Sequence, residues 1–307
     1  MKKIVCVLVL LILLSACQNR ATVIPDASAQ PGGDGFLKVT VSIAPQKYFV
    51  ERIGGEFVEV TVMVQPGNNP ATYEPKPEQL TQLSESALYF AIGVPFEDVW
   101  LDRIAAANSG MVIVDTVEGI RRLPLETAHA HDDGDVVEDP VHNEGAPDPH
   151  IWLSPELVKI QSQSIYRALA TADPNHEAVY RDNLAAFVTD IDVLQADIAR
   201  TLAGVNSRKF MVFHPSWGYF ARDFGLEMIS IEVGGQEPSA QELARLVEDA
   251  RAENIRVILA QPEFSTEDAK TIAREIGGGV LLVSPLAEDW LSNLRIVADT
   301  FAEVLSR

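Results

Sequence analysis

The chain has 307 residues, 47% of them hydrophobic, with 24 Lys and Arg against 44 Asp and Glu for a formal charge of −20. That length suits about two domains of roughly 100–200 residues each, and the composition can bury a large core, which excludes wholesale disorder. The acidic balance argues against nucleic acid, whose phosphates call for clustered Lys and Arg, and disfavours anionic lipid headgroups.

Lys2 and Lys3 precede an apolar run over 4–14 that is too short to span a bilayer and reads as a signal-peptide core. The Leu14-Ser15-Ala16-Cys17 that follows resembles the lipobox of bacterial lipoproteins, in which the Cys is lipidated and becomes the new N-terminus. Cleavage before Cys17 would remove residues 1–16 and leave 291, and because both lysines go with them the charge becomes −22. Cys6 goes too, so no disulfide can form inside the chain despite the export signal. Residues 17–36 are polar, small and rich in Gly and Pro, and read as a flexible tether. The expectation is a monomeric soluble body, lipid-anchored at Cys17 on the outer side of a bacterial cell membrane, either periplasmic or at the cell surface.

From residue 37, short β-branched runs alternate with helical patterns. Strands are expected at 38–43, 57–64, 87–92 and 111–114, with helices near 45–53, 77–84 and 95–107. The grammar returns at 210–213, 228–232, 256–260 and 280–283, with capping-box patterns at Ser239–Glu242 and at residues 265–268. Such alternation predicts right-handed βαβ units and mostly parallel sheets. Between the halves, Tyr180, Leu184, Phe187, Ile191, Leu194, Ile198 and Leu202 recur at helical spacing. With Asp173 as its cap and Pro174 in its first turn, this segment predicts one long helix over 173–204 of roughly 45 Å. The fold class is therefore α/β. Two lobes, 37–172 and 205–307, are joined by a rigid helix, with a ligand cleft between them.

One segment breaks the pattern. Residues 127–149 hold seven acidic residues, three histidines (His129, His131 and His142) and no Lys or Arg, and read as a mobile loop. Four of the six histidines fall between 129 and 150. His150 stands just before a helix start, with Ser154 as cap and Pro155 in the first turn. His214 follows the strand over 210–213, where open parallel sheets collect ligands beyond their carboxyl ends. A pocket between lobes is a common ligand site, although a single His beside a Trp is more often structural.

Four stretches carry a resemblance. They are VQPGNNPATYEPKP at 64–77, DPHIWLSP at 148–155, FHPSWGYF at 213–220 and QPEFS at 261–265. In this order, and over essentially all of 38–307, the chain resembles the zinc/manganese-type metal-binding proteins of bacterial ABC importers, the cluster A-I solute-binding family. The resemblance implies two α/β lobes with a divalent metal in the cleft, and an ABC permease as partner. It also implies that His150 and His214 are two of the metal ligands. The family's first ligand is a His where this chain has Ala71, and its last is an Asp where this chain has Ser284. Two imidazoles are too few for a closed tetrahedral zinc site. Glu263, after the strand over 256–260, is a candidate to complete it, as are the loop residues His129, His131 and His142, and water. Tyr73 and Glu74 are expected to hold the turn beside Ala71. Imidazole-rich sites suit zinc, and manganese, which prefers more oxygen, comes second.

Three function classes compete. The leading one is extracytoplasmic capture of a divalent metal and its delivery to a permease. The substitutions at Ala71 and Ser284 leave open a non-metal ligand or an adhesin on the same fold. A metal-assisted hydrolase finds no support, because no His-Glu-x-x-His helix, Gly-x-Ser-x-Gly elbow or phosphate-binding Gly loop occurs.

Overall fold

A computed structural model describes residues 35–125, 146–232, 238–264 and 266–306. The signal-peptide and tether readings, Cys17, and His129, His131 and His142 lie outside the described residues.

The first lobe is a four-stranded parallel sheet of β1 (Leu37–Ile43), β2 (Val58–Val64), β3 (Leu88–Ala91) and β4 (Val112–Asp115), in the order β2-β1-β3-β4. Helices α1 (Ala44–Gly54), α2 (Pro77–Leu83) and α3 (Pro95–Ala107) make the crossovers. The second lobe repeats this order with β5 (Lys209–Val212), β6 (Glu227–Ser230), β7 (Val257–Ala260) and β8 (Gly279–Leu282), arranged β6-β5-β7-β8. Its helices are α6 (Gly218–Phe224), α7 (Ala240–Ala252), α8 (Glu267–Glu275) and α9 (Trp290–Leu305). Every strand pair is parallel, as the βαβ grammar requires. The inner strands β3 and β7 are buried along their whole length, which is why they read as continuous apolar runs, while the edge strands β4 and β8 are not.

Between the lobes lie α4 (Pro155–Ala172) and α5 (Glu177–Thr201). The Ser154 cap forms as expected, its Oγ accepting from the Leu157 amide at 3.2 Å. The α5 face of Tyr180, Leu184, Phe187, Ile191, Leu194 and Ile198 is buried. Each such side chain is worth roughly 1.5–3 kcal/mol against exposure. This face joins both lobes in one continuous core, where Phe49 packs on Phe187 at 6.0 Å and on Trp290 of α9 at 5.2 Å.

Two local expectations need correction. The α-helix begins at Glu177, because Pro174–His176 forms a separate 3-10 turn. Asp173 does not cap it; its Oδ2 instead accepts from the Tyr180 hydroxyl at 2.7 Å and faces His176 Nδ1 at 2.6 Å. The helix over its 25 residues is about 37 Å long. At α8, Thr266 holds the cap position without a side-chain hydrogen bond, and Ser265, from which a capping box was expected, lies outside the described residues. By contrast, the box at α7 is complete. The Ser239 amide donates to Glu242 Oε2 at 2.7 Å, and Ser239 Oγ accepts from the Glu242 amide at 3.3 Å.

Candidate metal centre

In each sheet the chain reverses strand order between two central strands, β1 and β3 in one lobe and β5 and β7 in the other. Loops leaving the carboxyl ends at such points diverge and open a crevice. Both crevices contribute to a single cavity of about 990 Å³, which Ala71, Gly93, Arg122, His150, His214 and Glu263 help to line.

His150 precedes a 3-10 turn, Ile151–Leu153, that leads into α4. Its backbone amide and its Nδ1 both meet Asp148 Oδ1, at 2.9 and 2.7 Å, and Asp148 is itself only 3% exposed. His214 lies two residues beyond β5. Its Nδ1 is 2.6 Å from Glu232 Oε2, its ring stacks on Phe264 at 4.4 Å, and its carbonyl accepts from Gln261 Nε2 at 2.9 Å. A buried carboxylate accepting from Nδ1–H fixes the tautomer with its lone pair on Nε2, the arrangement common among metal-ligating histidines. Burial pushes the His214 imidazole below its ordinary range, with the Glu232 contact opposing it, so the ring is neutral at pH 7. The two rings stand 5.3 Å apart, inclined at 74°.

Glu263 shares the cavity. Its Oε1 accepts from Ser284 Oγ at 2.9 Å, and its Oε2 is buried without a hydrogen-bond partner. Burial pushes its carboxyl above the usual range. An orphaned carboxylate oxygen on the same cavity as two imidazoles is a donor set that a divalent cation would satisfy. Even so, among the described residues no three His, Cys, Asp or Glu side chains converge closely enough to hold an ion. The structure thus brings His150 and His214 together, and puts Glu263 on the same cavity without closing the triad. Ala71 is exposed on that wall and offers no donor side chain. Tyr73 does hold its turn, through Gln79 at 2.5 Å.

Several contacts cross the cleft. Trp152 Nε1 donates to the Pro285 carbonyl and Trp290 Nε1 to the Trp152 carbonyl, both at 2.7 Å. Tyr219 of α6 donates to the Asp148 carbonyl at 2.9 Å and accepts from the Leu123 amide at 3.0 Å. Burial pushes its phenol up to about 12, so it remains a donor. Two glycines permit close approaches here. A Cβ at Gly93, where φ is +75°, would meet the Arg122 guanidinium at 1.8 Å, and one at Gly218 would press on Asp148 Oδ2 at 3.2 Å. Leu125 and Ala146, joined by an amide-to-carbonyl bond of 2.8 Å, also line the cavity.

Sequence reading missed Asp148, Glu232, Arg122 and Tyr219. Glu232 had a usable signal. In the parallel register Val212 faces Ser230, so His214 and Glu232, each two residues further on, leave the sheet side by side.

The sequence profile described as "Zinc-uptake complex component A periplasmic" matches residues 39–304. A crystal structure of ZnuA is similar at 46% identity and a TM-score of 0.81, covering 88% of this chain and all of that one. The high-affinity zinc uptake system protein ZnuA of Bacillus subtilis (strain 168) is 26% identical over 277 residues, 90% of this chain and 85% of that protein. The zinc-binding protein AdcA of Streptococcus pyogenes serotype M3 (strain ATCC BAA-595 / MGAS315) is 27% identical over 262 residues, 82% of this chain and 51% of that protein.

Proposed function

The chain belongs to the family of periplasmic component A proteins of zinc-uptake complexes, and from that premise we propose that its cleft captures zinc outside the cytoplasmic membrane and hands it to an ABC permease. The observation that carries this reading is the pair of imidazoles, His150 and His214, 5.3 Å apart with each Nδ1 held by a buried carboxylate. Imidazole nitrogen favours zinc over manganese, and the neutral His214 ring can ligate without first losing a proton. Glu263 becomes the third ligand on zinc binding, when the Oε2 that has no other partner moves onto the ion and closes the triad that stands open here. Water or a loop histidine (His129, His131 or His142) takes the remaining position. With an incomplete protein shell the ion stays exchangeable, which suits a carrier that must release its cargo. No covalent bond is made or broken in this role, and membership of a zinc-uptake family places zinc ahead of the adhesin and non-metal readings.

The same proposal covers the rest of the chain. Residues 1–16 direct export, Cys17 carries the lipid, and 17–36 tether a monomeric body. In it the segment 173–204 connects the lobes 37–172 and 205–307. Competition titration of the purified protein tests the site. One zinc per chain, held more tightly than manganese, is expected; no zinc, or equal affinity for the two, contradicts it. For the anchor, Cys17→Ser should move the protein from the membrane fraction to the soluble one, and persistent membrane attachment would reject it.

A further inference from the structure

His150 and His214 can share an ion only if the segment carrying His150 is held in register against the end of β5. His150 is aimed by Asp148, and Asp148 belongs to a short two-chain strip outside either sheet. Its amide donates to the Leu123 carbonyl at 2.8 Å, and one antiparallel bridge pairs Pro124 with Pro147. Such a strip is too short to be stable alone. The group that fastens it comes from across the cleft. Tyr219, fully buried and five residues after His214, accepts from the Leu123 amide and donates to the Asp148 carbonyl. One phenol therefore closes both chains of the strip onto α6, the helix that follows the His214 turn.

We propose that Tyr219 is a positioning residue for metal capture, a clamp that sets His150 against His214 through the backbone of Leu123 and Asp148. This rests on the zinc reading of the cleft for its consequence but not for its geometry. The clamp runs from Tyr219 to the Asp148 carbonyl, and from the Asp148 carboxylate to both the amide and Nδ1 of His150. Gly218 completes it, because the missing Cβ leaves room for the Asp148 carboxylate. Tyr219→Phe keeps the ring and its packing but strands a half-buried N–H and a buried C=O, so the strip loses its registration. His214 keeps its own bond to Glu232 and should be unaffected.

The test compares Tyr219→Phe with Leu194→Ala, a core truncation on the buried face of α5. Zinc competition, thermal midpoint and nitrogen NMR of the metal-free histidines are the readouts. Tyr219→Phe should weaken zinc binding about tenfold, the scale seen for outer-shell groups. In the metal-free protein it should also blur the His150 tautomer and leave that of His214 sharp. Leu194→Ala should lower the midpoint at least as far while changing neither affinity nor tautomer. An unaltered affinity and His150 tautomer in Tyr219→Phe overturns the clamp, as does a Leu194→Ala variant that reproduces both losses. In the unaltered chain the Leu123 amide should be as slow to exchange with solvent as the amides of β3, and free exchange also overturns it. If His150→Ala abolishes zinc binding while Tyr219→Phe is silent, only the clamp fails. If His150→Ala is silent too, the zinc site fails, and the metal-free tautomer still decides the clamp.

Discussion

The two lobes share one strand order and turn the same crevice toward the cavity, yet they equip it differently. At the end of β5 and β7, His214 and Glu263 line the cavity, and Glu263 Oε2 is buried there without a hydrogen-bond partner. At the end of β1 and β3, the buried carboxylate is spent inward. Glu97 is 3% exposed and accepts from the amides of Ile92 and Gly93, at 3.0 and 2.7 Å, and from the Ser42 hydroxyl. Arg122 caps the outside of that turn by donating to the Ile92 carbonyl at 3.0 Å. The same topology thus carries the proposed ligand wall in one lobe and a structural wall in the other. What differs is whether a polar side chain is consumed by its own backbone. Among the described residues, the first-lobe ligand in the proposed site is His150, carried by the strip that Tyr219 bonds.

This contrast orders the expected effects on zinc. His150→Ala or His214→Ala should each raise the dissociation constant by about a hundredfold, about 2.8 kcal/mol, in competition titrations. If one is silent, the ligand wall has been placed wrongly. Removing the braces should cost less. Asp148→Asn and Glu232→Gln should each weaken binding about tenfold, since the ring stays present but loses its preferred tautomer. Equal losses from brace and ring would mean that the braces act on folding instead.

The third prediction sharpens the comparison by addition. Ala71→His with Ser284→Asp restores the two family ligands that this chain lacks. It should tighten zinc binding roughly tenfold if the new donors reach about 2.0–2.2 Å from the ion. A normally folded double variant that binds no better would show that the first-lobe wall cannot be made a ligand wall.

The smallest effect on zinc should come from Glu97. Glu97→Ala should change zinc affinity less than about threefold while costing about 1–3 kcal/mol of stability, because a buried amide and a half-buried one lose their acceptor. Burial pushes the Glu97 carboxyl above its ordinary range. Its folded value therefore exceeds the unfolded value of about 4.3. Its stabilising contribution is full below that unfolded value and fades as pH rises through the folded one. The stability gap between parent and Glu97→Ala should accordingly narrow as pH rises, and denaturation curves showing a constant or widening gap would refute this.

The sheets were legible because parallel strands buried on both faces have an unmistakable signal, β-branched runs such as Val257–Ala260 between helical patterns. The α5 face was legible for the same reason, since burial on one side imposes a period. His150 and His214 were legible from their motifs and from their places after turn and strand. Tyr219 and Asp148 were not. Their roles come from hydrogen bonds to backbone groups 96 and 71 residues apart in sequence, and no local pattern encodes those. The Asp173 cap failed similarly, because Tyr180 and His176 compete for its carboxylate only once the turn has formed. Glu263 was placed correctly on the cavity, but its hydrogen bond to Ser284 depends on two neighbouring strand ends and not on either motif alone.

Anomalous diffraction at the zinc edge from crystals of the loaded protein tests the central claim most directly. The account predicts one strong peak per chain within about 2.0–2.2 Å of Nε2 of both His150 and His214. A peak elsewhere in the chain, or none between those two rings when zinc is bound, would contradict it.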